Sequence, residues 1–132
     1  MKTEKLMLVK RELDLLSRHL KAFTLSDFNK KKLATELETA IIVKDDELPP
    51  ETVCLDSEVE IRELESGKNF RFQIVIPGEA DMQKKRVSVL SPIAIAILGY
   101  RTGSKVQWEM PNGVKTFKVL QVKQKEEKNM IF

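Results

Sequence analysis

This 132-residue chain holds one histidine and one cysteine with which to build an activated nucleophile. His19 and Cys54 are its whole supply of imidazole and thiol. An activated Ser or Cys nucleophile needs a base that a third group holds in place, and one His in a charged helical stretch with one distant Cys gives no such arrangement. His19 reads as a surface residue. Structural zinc takes four ligands, which Cys54 and His19 cannot make up, and a lone cysteine leaves no internal disulfide. Gly99 to Gly103 follows an apolar run instead of preceding a helix, so it reads as a helix stop and not as a phosphate cradle. Asp27, with Lys30, Lys31 and Lys32 close behind it, is a lone carboxylate at a helix start, a position that suits an N-cap. Phe70, Phe72, Tyr100, Trp108 and Phe117 read as core, with no aromatic constellation and polar partner near a helix. No cofactor and no metal are expected.

The charge balance is equally plain. Twenty-three Lys+Arg against 20 Asp+Glu leave +3, too weak a bias to argue for nucleic acid by itself. Apolar residues make 42% of the chain and charged residues 33%, ordinary for a soluble domain with an exposed helical part. No apolar run approaches 18 residues, and the first residues lead into an amphipathic pattern instead of a signal-peptide core. The expected location is a reducing cytoplasm, without membrane contact.

These side chains must be positioned by two kinds of element. Leu6, Val9, Leu13, Leu16, Leu20 and Phe23 recur at spacings of three and four, an a/d seam for a first helix. Thr24 to Asp27 interrupts it, with Ser26 or Asp27 as cap, and a second helix is expected from Asp27 to Val43 with Phe28, Leu33, Ala34, Leu37, Ala40 and Ile41 inward. The short connection implies an antiparallel helical hairpin, a short coiled coil over residues 1–44. Pro49-Pro50 ends that unit, and 45–52 reads as a linker. From 53 to 132 the pattern is α+β: alternation over Val53 to Leu64, a turn at Glu65 to Asn69, a returning strand from Phe70 to Ile76, a strand at Arg86 to Leu90, and a second hairpin closed by Asn112-Gly113, both expected at positive φ. Between them, Ser91 caps a helix with Pro92 at its first position and Gly99 at its end. Apart from that serine, Val89 to Leu98 holds no polar residue, so a sheet must wrap this helix.

The stretch Val87-Ser88-Val89-Leu90-Ser91-Pro92-Ile93-Ala94-Ile95-Ala96-Ile97-Leu98-Gly99, with Val106-Gln107-Trp108-Glu109-Met110-Pro111-Asn112-Gly113-Val114, resembles the C-terminal domain of the Gre-type bacterial transcription elongation factors. Within that family the second segment and Glu47-Leu48-Pro49-Pro50 are most similar to Rnk, the regulator of nucleoside diphosphate kinase. The resemblance implies an FKBP-like antiparallel sheet around one helix. It also implies a bacterial RNA polymerase partner, gripped at the rim of the secondary channel by the loop that opens the Ser-Pro helix. Carried over, that loop is Leu90, Ser91 and Pro92, with Ile93 opening the helix. Leu90 stands where Gre factors often have an acid, so apolar contact must supply the affinity.

Gre factors promote RNA cleavage with acidic residues at the tip of a long helical arm, where hard oxygen ligands help hold magnesium. Here the tip falls within Phe23 to Lys32 and offers Asp27 beside lysines that repel a divalent ion. A first helix of about 20 residues reaches roughly 30 Å, a shortened arm. The expectation is therefore a monomeric, non-catalytic regulator that docks on polymerase and competes with Gre-type factors, with little or no direct nucleic-acid contact. A cleavage factor acting through Asp27 is the alternative, and a prolyl isomerase, from the FKBP likeness, a third.

Overall fold

A computed structural model describes residues 5–22 and 25–124. The expectations for the His19 side chain, for Phe23 and Thr24, and for the charged tail from 125 onward lie outside the described residues.

The first described element is a strand, not a helix. β1 (Met7–Val9) is followed by α1 (Lys10–Ala22), α2 (Asp27–Glu38) and β2 (Ile41–Val43), which pairs with β1 in parallel. Leu6 and Leu8 lie two apart and are both buried, a strand alternation that takes the first residues out of the expected seam. Glu12 then starts α1 by accepting the Val9 N–H at 3.1 Å. At the other end α2 stops at Glu38, because β-branched Ile41 to Val43 pair with β1 and Ile41 donates to the Leu6 carbonyl at 2.8 Å. The inward face of α2 also differs from the expected one. Asn29, Leu33 and Glu36 are buried at spacings of four and three, while Phe28 and Ile41 are exposed.

Asp45–Glu47 forms one turn of 3₁₀ helix. The segment after the two prolines is then sewn to the exit of the Ser-Pro helix: Val53 donates to the Tyr100 carbonyl at 2.7 Å, and Gly99 donates to that of Val53 at 2.9 Å. Regular strand begins only at β3 (Glu58–Glu63), which forms a hairpin with β4 (Asn69–Val75). The expected all-antiparallel sheet is corrected at β5 (Arg86–Ser88), which runs parallel to β4. Two short 3₁₀ turns, Pro77–Glu79 and Met82–Lys84, and a left-handed Lys85 at φ 57° carry the chain back to the same end before β5 starts. The six-residue α3 (Pro92–Ile97) follows, then the hairpin of β6 (Lys105–Met110) and β7 (Gly113–Lys123). In its turn only Gly113 takes positive φ, at 121°; Asn112 does not.

The result is a mixed α+β fold with a five-stranded sheet in the order β5-β4-β3-β7-β6. A register shift between Glu60 and Ile61 curls it. α3 fills the concavity: Ala94 to Leu98 are buried with Val59, Ile61, Ile74, Val106, Trp108 and Val119. Leu6, Leu8, Leu16 and Leu33 belong to the same core, so the N-terminal elements and the sheet share one interior. Gly99 shows how closely they meet. A Cβ there would lie 2.9 Å from Leu8 Cδ2 and 3.0 Å from Leu6 Cβ, and its φ of 89° is strained for any other residue.

Candidate functional site

The loop into α3 has its backbone donors satisfied locally. Ser88 Oγ accepts from Leu90 N at 3.0 Å, Ser91 N donates to the Ser88 carbonyl at 2.9 Å, and Ser91 Oγ caps the helix through Ala94 N at 3.4 Å. Pro92 at the first helical position faces solvent, while Leu90, Ser91 and Ile93 are half-buried.

Ile93 turns away from this loop into an apolar groove of about 490 Å³ on the concave side of the sheet. Phe70, Phe72, Val87, Met82 and Phe117 make most of its wall, and the β6–β7 turn closes one end with Met110 to Asn112. Met82 is 75% exposed and Phe70 43%, so the groove opens to solvent with apolar lips. Its polar mark is the Lys115–Glu63 ion pair at 3.6 Å. No aromatic constellation near the helix is expected from the sequence; the structure corrects this by bringing Phe70, Phe72 and Phe117 beside Ile93. The one available signal was Phe70, a large aromatic that begins a strand beside a turn.

The four lysine-rich tip residues part company. Ser26, not Asp27, caps α2, its Oγ accepting from Asn29 N at 3.1 Å, which leaves Asp27 exposed in the first turn. Lys30 and Lys31 are exposed as expected. Lys32 is not part of the solvated tip. Its Nζ pairs with Glu36 and donates to Tyr100 Oη at 2.9 Å, over a ring whose centre is 5.2 Å away. The Tyr100 hydroxyl donates to the same Glu36 carboxylate, which closes a largely buried triangle between α2 and Tyr100, just past the end of α3.

Two further polar groups bind the helices to the sheet. Asn29 Nδ2 donates to the Glu109 carbonyl at 2.9 Å while its Oδ1 accepts from Glu109 N at 2.8 Å, so a side chain completes the hydrogen bonding of the sheet edge at β6. Glu12, fully buried, accepts from Leu55 N at 2.8 Å as well as from Val9. Burial raises its carboxyl above the ordinary value, against the pull of those two backbone donors. Cys54 beside it is pushed to about 12, by burial first and then by the Glu12 charge, so its thiol stays protonated and is a poor nucleophile at neutral pH. Among the described residues no group of three His, Cys, Asp or Glu side chains is close enough to hold a metal ion, and no helix is long and apolar enough to cross a membrane.

A curled mixed sheet wrapped around a short serine-capped helix, with an edge loop and an open groove beside it, places the protein among small α+β modules. The chain belongs to the GreA/GreB family: the family model described as transcription elongation factor, GreA/GreB, C-term, matches residues 48–124. The regulator of nucleoside diphosphate kinase of Escherichia coli (strain K12) is 33% identical over 84 residues, 64% of this chain and 62% of that protein. Transcription elongation factor GreA of Thermotoga neapolitana is 37% identical over 86 residues, 65% of this chain and 54% of that protein. The chain thus matches little more than half the length of these relatives. Among solved structures, a prokaryotic transcription elongation factor GreA/GreB from Nitrosomonas europaea superposes with a TM-score of 0.66 at 27% identity, covering 92% of this chain and 99% of that one. Gfh1 of Thermus aquaticus, at TM-score 0.51 and 22% identity over 92% and 99% of the two chains, shares the fold.

Proposed function

We propose that this protein is a non-catalytic transcription regulator that docks on bacterial RNA polymerase near the secondary channel and competes there with Gre-type factors. The observation that carries this reading is the continuity of the loop at Leu90 to Pro92 with the apolar groove through Ile93. A loop whose donors are already paired loses little entropy on binding, and an open apolar groove supplies contact area where Leu90 replaces a charge. Family membership and relatives named as transcription elongation factors support the same partner class. The arm fits a regulator without cleavage activity, since α1 has 13 residues and so a length of about 20 Å. Asp27 is the lone carboxylate of the first two turns of α2, with Lys30 and Lys31 close by. On this reading the protein works in the cytoplasm.

The test is binding of the labelled full chain to core RNA polymerase, alone and with GreA as competitor. Saturable binding that GreA displaces is expected, and Ile93→Glu, which puts a charge into the groove, should abolish it. Absence of binding by the folded wild type overturns the reading. If instead the protein shortens RNA in stalled complexes and Asp27→Ala stops this, it is a cleavage factor. A second observation keeps a prolyl isomerase in view: three phenylalanines wall the groove beside α3. Acceleration of a proline-peptide isomerisation, lost in Phe72→Ala, would favour that activity.

A further inference from the structure

The outer face of the sheet carries a row of charge that docking through the groove leaves unused. Arg62 on β3 stands directly opposite Lys118 on β7, and Lys118 stands opposite Lys105 on β6. Each is next in sequence to a buried residue of the core face, Ile61, Phe117 and Val106, so all three cations point outward together. Adjacent strands are about 4.8 Å apart, which makes the row roughly 10 Å long.

Like charges placed opposite one another destabilise an antiparallel pair. The acids of this face do not relieve them. Glu60 pairs with Arg71 at 3.2 Å, Glu58 is the register partner of Lys123, and Glu109 lies four residues along β6 from Lys105. Among the described residues none of the three cations has a carboxylate within ion-pair distance. Arg62 Nε donates to the neutral Asn69 Oδ1 at 2.8 Å, which orients the guanidinium without neutralising it. Three uncompensated cations in register are an electrostatic cost in the free protein and a ready counterpart for a polyanion.

We propose that this row is a contact for the phosphate backbone of a nucleic-acid duplex. The face offers charges with exposed amide side chains, Gln107 and Gln121, near them, groups that suit phosphate oxygens. Among the described residues it has no aromatic side chain on which unpaired bases could stack, and none to serve as the aromatic anchor of a protein interface. A duplex carries one charge per about 1.7 Å of its axis, so several phosphates fall within the reach of the row.

The test measures binding of the full chain to a short labelled DNA duplex as salt is varied. Three neutralised phosphates give a slope of log K on log salt of about −2.7, so affinity should fall about 40-fold between roughly 50 and 200 mM. Lys105→Gln with Lys118→Gln should bring the slope to about −0.9. Because it removes a like-charge pair, this double variant should unfold at a temperature no lower than the wild type, which separates lost binding from lost fold. Absence of duplex binding at low salt, or a slope unchanged by the double substitution, overturns the proposal. So does a double variant that loses polymerase binding while the wild type binds no duplex, since the row then faces an acidic protein surface.

Discussion

The sheet and the two helices that precede it are held by different physics. Trp108, Ile61, Ile74 and Val119 are almost wholly buried around α3, and this apolar contact has no preferred direction. The helices contribute Leu16 and Leu33 to that interior, but their orientation rests on polar fastenings: Glu12 to Leu55, Asn29 to Glu109, and the Lys32–Glu36–Tyr100 triangle. Hydrogen bonds are directional, so these side chains fix how α1 and α2 lie against the sheet. An apolar interior makes the domain stable; the polar fastenings decide how its helices seat on the sheet.

Breaking the apolar side should have the largest effect. Trp108→Ala removes the largest fully buried side chain and should lower unfolding free energy by about 3–5 kcal/mol, read by denaturant unfolding. A loss under about 1 kcal/mol would mean that the interior is not held together as argued. Tyr100→Phe tests the polar side. Deleting the hydroxyl between Lys32 and Glu36 should cost about 1–3 kcal/mol, with amide exchange accelerated in α2 before β3 and β7. Uniform acceleration across all three would erase the distinction between the two regions.

The subtlest effect is the pH dependence of Glu12. Burial makes the folded chain hold this proton more tightly than the unfolded chain, whose carboxyl titrates near the ordinary 4.5. Its contribution to stability is therefore fully present below that value and declines as pH rises through the raised one. Glu12→Gln lacks this titration, so the stability of wild type relative to the variant should fall from acid towards neutral pH. Parallel stability curves for the two proteins would show that Glu12 is not buried as described.

Local signals were most legible where propensity, capping and tertiary need agree. The Ser91 cap, Pro92, the helix stop at Gly99 and the turn at Pro111 to Gly113 all stand where their residue types put them. Leu6 to Val9 misled because leucines spaced for a helix seam also contain a strand alternation, and only pairing with Ile41 to Val43 decides between the two. The same holds for Lys32. Three consecutive lysines look alike in sequence, yet helix rotation turns one of them against Tyr100, 68 residues away.

The sequence by itself determined the α+β class, the short helix with its cap and stop, both hairpins and the family likeness, because each depends on residues near one another in the chain. Tertiary structure alone decided the parallel β5, the groove that joins Ile93 to Phe70 and Phe117, the polar fastenings of α2, and the row of Arg62, Lys118 and Lys105. All of these depend on strand register and helix rotation, which bring distant residues together and are fixed only when the core closes.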